Sequence, residues 1–230
     1  MDFQEIFIRI NKSLTGLTHL DELCQRTPNN VDPFKILIST ILSVRTKDKN
    51  TTKATDKLFS KYNTPQMIAN ASLEDLEDLI YISGTYKTKA LRIKQVSQIL
   101  LEKYKGKVPK SFGELIKLPG VGNKVANCVL IYAYKIPAIA VDVHVHRIAN
   151  RIGWVDTKTP EQTEAELSKI IPMELWIDLN RILVKFGQQT CRPIYPKCEE
   201  CLIDDICDKN FSKSFTKRKK NYTDNDSHVL

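Results

Sequence analysis

The chain has 230 residues, 42% of them hydrophobic, with 35 Lys and Arg against 27 Asp and Glu and a formal net charge of +8. That length buries a real core without help from disulfides, and no apolar run approaches the roughly 20 residues of a membrane-spanning helix. The positive excess raises the expectation of a polyanionic partner, although part of it comes from Lys217, Arg218, Lys219 and Lys220, in a polar tail expected to be disordered.

The N-terminal stretch MDFQEIFIRINKSL lacks the basic region, clean apolar core and small-residue cleavage site of a signal peptide. A cytoplasmic location is therefore expected, nucleoid-associated in a prokaryote. Helix starts are marked by Asp32 then Pro33, Thr64 then Pro65, and Thr159 then Pro160. In each, a capping side chain precedes a proline whose missing N–H costs nothing at the first helical position. Ser111 with Glu114 and Thr159 with Gln162 also have capping-box spacing. Apolar-rich stretches run from Phe34 to Val44, Ala54 to Tyr62, Leu73 to Ile82, Ala90 to Tyr104 and Val125 to Tyr134, and predict short helices joined by short turns. A second group is predicted over His144 to Ile152, Pro160 to Ile170 and Glu174 to Phe186. Strand-like alternation is hard to find, so the expected fold class is all-α, in two helical lobes without an internal repeat.

The segment SFGELIKLPGVGNKVANCVLIYAY, Ser111 to Tyr134, joins a short amphipathic helix to a second one through a glycine turn. Gly120 and Gly122 permit positive backbone angles and close approach, and the next helix offers free N–H groups and a positive dipole end. Such a turn suits a phosphate, though a plain helix-helix connection also uses glycine for steric reasons. Lys124 falls in the first turn of that second helix, where a cation opposes the dipole, so its placement asks for another role. Further along, Asp142 opens VDVHVHR after the apolar AIAV stretch. Capping alone explains an aspartate there; the functional alternative is that Lys124 and Asp142 face one cleft between the lobes.

Four of the six cysteines, Cys191, Cys198, Cys201 and Cys207, are separated by six, two and five residues, while Cys24 and Cys128 stand alone in apolar, helix-like surroundings. This distribution favours a metal site plus two buried thiols over a disulfide framework. From spacing alone a zinc site with four thiolate ligands and an iron-sulfur cluster on the same four cysteines both remain open. Arg192 and Lys197 give the loop a basic side, suited to phosphate or to solvent.

LPGVGNKVA, then VDVHVHR, then the four clustered cysteines together resemble the helix-hairpin-helix DNA glycosylases of the endonuclease III type, from about Phe3 to Asp208. The resemblance implies a six-helix lobe over residues 22–136 that contains the hairpin. It implies a discontinuous iron-sulfur lobe over 1–21 and 137–211, an active site in the cleft between, and a tail over 212–230. Carried over residue by residue, Leu118, Gly120, Val121 and Gly122 grip DNA phosphates, Lys124 is the nucleophile, Asp142 assists, and the four cysteines hold a [4Fe-4S] cluster. LSVRTKD, Leu42 to Asp48, matches the loop from which the family inserts a glutamine into the gap left by a flipped-out base. Here Arg45 stands in its place, and it can stack on or bond the orphaned base. A second wedge position, usually bulky, aligns with Thr85 in SGTYKTKA. His144 fits the family motif, with a backbone-bonding role as the plain alternative; His146 matches no family role. Lys49, Lys53 and Lys57 share a helical face, and Lys87, Lys89, Arg92 and Lys94 cluster near another helix start. Such faces are more often solvated than in contact with DNA.

The implied function is that of a monomeric base-excision-repair enzyme, a DNA glycosylase with AP-lyase activity on oxidised pyrimidines in duplex DNA, working through a lysine Schiff base. Two alternatives stand beside it. One is a mismatch-type glycosylase, for thymine or uracil or for adenine, of the same fold but generally without the lysine. The other is a non-catalytic hairpin module that binds phosphate alone.

Overall fold

The computed structural model describes residues 2–25 and 31–211. The tail 212–230, with its basic run from Lys217 to Lys220, lies outside the described residues. Among these residues every regular element is helical, as the sequence predicts, and no helix is long and apolar enough to cross a membrane. In chain order the helices are α1 (Phe3–Lys12), α2 (His19–Gln25), α3 (Pro33–Ser43), α4 (Asp48–Lys61), α5 (Pro65–Asn70), α6 (Leu73–Ile80), α7 (Tyr86–Tyr104) and α8 (Phe112–Leu115). Then come α9 (Asn123–Tyr134), α10 (Val143–Ile152), α11 (Pro160–Ile170) and α12 (Trp176–Gln189).

The predicted starts hold at atomic detail. Asp32 accepts from the Phe34 N–H at 2.9 Å, Thr64 from Met67 at 3.2 Å and Thr159 from Gln162 at 3.3 Å, each satisfying a donor that the first helical turn leaves unpaired. The two expected capping boxes do not close. Ser111 makes no side-chain cap bond, and Glu114 instead accepts from Tyr104 and Lys117, both at 2.5 Å. A cationic donor outcompetes a neutral backbone N–H for a carboxylate. Gln162 accepts from the Lys158 N–H at 2.9 Å, one residue upstream of the reciprocal position.

The described residues divide into two compact units, one formed by 16–25, 31–140 and 173–181, the other by 2–15, 141–172 and 182–211. Among the described residues the larger unit carries α2 to α9 and the first part of α12; α8 has only four residues and α5 six. Its centre is α3 and α9, which pack on each other. Ile36, Leu37, Ile38 and Leu42 of α3 are fully buried, as are Ala126, Cys128 and Val129 of α9. A helix apolar on most sides is an interior helix, and each such Ile or Leu contributes roughly 1.5–3 kcal/mol by leaving water. Around this centre α4 packs on α3 and α6, while α5 and α6 pack on α7. After α9 the chain continues without regular structure through Ala138, Ile139 and Ala140, which are buried. Buried backbone carbonyls need donors, and two amides supply them: Asn127 Nδ2 to Ile139 O and Asn180 Nδ2 to Ala140 O, both at 2.8 Å.

In the smaller unit, α1 sets Phe3 and Phe7 edge-on against Trp154, with ring centroids 5.3 and 6.1 Å apart. Arg9 pairs with Asp205, and Thr15 exchanges two hydrogen bonds with the Gln189 amide. The N-terminal segment is thus bonded to the C-terminal part of the same unit. His146 bonds Thr163 at 2.6 Å, joining α10 to α11. Gly153 ends α10 with φ +88°, and Asp208 lies so close that an added Cβ would meet its carboxylate at 1.8 Å.

Candidate functional site

The hairpin lies in the larger unit between α8 and α9. Leu118 N donates to Leu115 O at 3.0 Å, and Val121 N to Leu118 O at 3.1 Å, so the chain winds tightly through LPGVG. The side chains of Leu118 and Val121 are buried, 2% and 6% exposed. What these two residues present outward is therefore backbone, and the Val121 N–H is already committed. The sequence permits positive angles at both glycines, and only Gly120 adopts one. Gly120 sits at φ +79°, with Arg92 lying across it, whereas Gly122 is extended at φ −95° and serves as the N-cap of α9. Among the described residues, its chain neighbours aside, no atom comes within 4 Å of a Cβ built on Gly122. That open face, beside the first N–H groups of α9, is a place where an anion can approach closely. Lys124 is the second residue of α9 and is half-buried, which is the dipole-opposed position expected from the sequence.

Elsewhere in the larger unit the Arg45 loop and the Thr85 turn come together. Thr46 Oγ1, next to Arg45, donates to Ser83 O, and Lys89 Nζ donates to Leu42 O at 2.7 Å, Thr46 Oγ1 at 2.6 Å and Ser83 O at 2.7 Å. Arg45 and Thr85 are both exposed, and both hold left-handed backbone, φ +54° and +41°, a conformation rare for residues with a side chain. Burial, and then the neighbouring Arg92, pull the Lys89 amine down to about 8. Of the basic clusters noted in the sequence, Lys49, Lys53, Lys57 and Lys87 are exposed. Lys89 and Lys94 are not free for a partner, because Lys94 Nζ donates to Ala69 O and Ala71 O. The lysine spacing marked a charged face, but packing turned these two inward onto backbone carbonyls.

In the smaller unit Asp142 caps α10, its Oδ1 accepting from the His144 and Val145 N–H groups, each at 2.9 Å. Further along α10, Arg147 is anchored by Gly187 O at 3.0 Å and Cys191 O at 2.9 Å, and it lies 3.1 Å from His144 Nδ1. One turn on, buried Arg151 donates to Arg192 O at 2.6 Å and Pro193 O at 2.9 Å, and approaches Cys191 Sγ at 3.6 Å. The same helix therefore presents Asp142 at its start and holds the cysteine loop with its body. Neither arginine was singled out from the sequence, yet Arg147 and Arg151 recur four residues apart on one helical face. Cys191, Cys198, Cys201 and Cys207 line one cavity with Ile152, Phe186, Ile203 and Phe211, and none forms a disulfide. Burial pushes the thiols of Cys198, Cys201 and Cys207 up from their ordinary value. Among the described residues no three His, Cys, Asp or Glu side chains form a group that could hold a metal ion.

Residues 38–173 match a family model described as HhH-GPD superfamily base excision DNA repair protein. Endonuclease III of Thermotoga maritima is 55% identical over 190 residues, 81% of this chain and 89% of that one. Among solved structures, a trapped endonuclease III–DNA covalent intermediate aligns with TM-score 0.75 and 37% identity, over 87% of this chain and 95% of that chain. A thermostable thymine-DNA glycosylase aligns with TM-score 0.76 and 26% identity, over 90% and 93%. Helical fold, hairpin and matches define the class: the chain belongs to the HhH-GPD superfamily of base excision DNA repair proteins. Within that superfamily it is an endonuclease III-like helix-hairpin-helix DNA glycosylase/lyase.

Proposed function

We propose that the chain removes oxidised pyrimidines from duplex DNA as a monomer, with Lys124 as nucleophile, Asp142 as the assisting carboxylate and a [4Fe-4S] cluster on Cys191, Cys198, Cys201 and Cys207. The observation that carries the catalytic part is Lys124 in the first turn of α9, immediately after the hairpin. A cation gains nothing there from the helix dipole.

The neutral amine attacks C1′ of an extruded nucleotide. The N–C1′ bond forms as the glycosidic bond breaks, and the base departs with the electron pair and a proton. Opening of the sugar ring yields a Schiff base. Loss of a C2′ proton then expels the 3′ phosphate by β-elimination. Asp142, with Oδ1 committed to the cap, has Oδ2 to offer to positive charge developing at the sugar and to proton transfer. The hairpin contributes the open face at Gly122 and the N–H groups of α9, which suit a phosphate. Arg45 and Thr85 probe the duplex at the lesion, and His144 orients the start of α10. This lysine chemistry is what distinguishes the reading from the mismatch glycosylases of the same fold, which generally lack the lysine, and from a hairpin that only binds.

For the cofactor, the donor set fits. The four cysteines line one cavity, with Ile152, Phe186, Ile203 and Phe211 as apolar lining and Arg151 and Lys197 as cations among the lining residues; four thiolates are the ligand set of a [4Fe-4S] cluster, and neighbouring cations offset their negative charge. When bound, the cluster supplies a cross-link that fixes the loop carrying Arg192 and Lys197 for phosphate contact.

Borohydride reduction in the presence of duplex DNA with an abasic site tests the lysine chemistry. The wild-type chain is expected to form a covalent adduct, and Lys124→Ala to form none while still binding the DNA. A folded wild-type protein that binds without trapping would contradict the lyase mechanism and favour the binding module.

A further inference from the structure

Lys89 stands in the first turn of α7, yet only 2% of it is exposed. Its Nζ is surrounded by Leu42 O, Thr46 Oγ1 and Ser83 O at 2.6–2.7 Å. Thr46 spends its own hydroxyl proton on Ser83 O, so all three atoms act as acceptors toward the lysine. Three acceptors match the three protons of an ammonium. Each comes from a different backbone segment: the end of α3, the loop that presents Arg45, and the turn that presents Gly84 and Thr85. All three oxygens are neutral. An apolar side chain joins backbone segments without desolvating a charge, so a purely structural tie does not call for a buried cation.

The tie falls beside two of the residues that hold left-handed backbone. Arg45 precedes Thr46 and Thr85 follows Ser83 by two residues, and both hold left-handed angles that persist only when the surroundings over-determine them. We infer that Lys89 is a positioning residue whose ammonium locks the Arg45 loop to the Gly84–Thr85 turn, so that both probing side chains meet the duplex as one rigid unit. This rests on the reading that Arg45 and Thr85 enter the DNA at the lesion.

A base that is paired must be unstacked before it is extruded, whereas an abasic site in a single strand has neither partner nor base to displace. The two substrates therefore separate probing from chemistry. Single-turnover rates are to be measured on thymine glycol opposite adenine in a duplex and on a single-stranded abasic oligonucleotide. Lys89→Met is compared with Thr46→Val, which removes only the bridging hydroxyl should the lysine variant fold poorly. Displacing a contact by about 1 Å can cost on the order of 10²-fold. Both variants are thus expected to excise the paired lesion about 10- to 100-fold more slowly and to cleave the single-stranded site at the wild-type rate. In Lys89→Met combined with Arg45→Ala the loss is expected to fall short of the product of the single losses, because the lysine acts through the arginine loop. Equal losses on both substrates, multiplicative losses in the double variant, or a folded Thr46→Val with undiminished excision would overturn the inference. If Arg45→Ala alone leaves paired excision intact, the insertion reading itself fails; if Arg45→Ala shows the split and Lys89→Met does not, only the role of Lys89 fails.

Discussion

Gly120 and Gly122 look alike in LPGVG, and the backbone separates them. Gly120 needs its missing side chain for the chain's own sake, since its φ is +79° and Arg92 Cδ stands 2.6 Å from where a Cβ would go. Gly122 has an angle any residue adopts, and open space in front of it. Gly120→Ala is expected to lower stability by roughly 1–2 kcal/mol, the usual penalty for a left-handed residue with a Cβ, with the flexible Arg92 yielding. Gly122→Ser keeps a favoured N-cap residue, so its stability should stay within about 0.5 kcal/mol of wild type. Its DNA affinity should nevertheless fall, because the new side chain enters the space proposed for a phosphate. Urea unfolding and fluorescence anisotropy read the two effects separately. Wild-type affinity in Gly122→Ser would show that the open face is not a phosphate site.

At the scale of elements, what the sequence disclosed was local chemistry. The caps at Asp32, Thr64, Thr159 and Asp142 are all made as their spacing predicts, because a capping bond is decided within three residues. The fates of Lys89 and Lys94 were not legible. Their spacing marks only a charged stretch, and whether a lysine ends in solvent or on a carbonyl depends on which distant segments α7 packs against. The same holds for Arg147 and Arg151, whose acceptors lie about forty residues away in sequence and are brought near only by folding. Because these arginines join α10 to the cysteine loop, the cluster proposal has a direct test here. Anaerobically purified protein is expected to be brown, with ~4 iron atoms per chain, and Cys201→Ser to lose colour and iron together. Stoichiometric zinc without iron would refute the assignment.

For the whole molecule, the sequence indicated an all-helical chain with a positive excess, and both are properties summed over many residues, so that errors at single positions do not disturb them. The division into units is a different kind of property. Residues 2–15 are bonded with segments beyond 140, through Arg9 with Asp205 and Thr15 with Gln189, and no local pattern in MDFQEIFIRINKSL announces partners so far along the chain. Likewise LPGVGNKVA and VDVHVHR each read clearly as motifs, but they belong to different units, and each does chemistry only on a substrate that neither motif contains. The account therefore turns on one covalent bond. Proteolysis and mass spectrometry of the borohydride-trapped complex identify the residue that bears the reduced sugar. The prediction is a single modified peptide spanning the start of α9, with the added mass on Lys124; a sugar on any other lysine or on the N-terminal amine would contradict it.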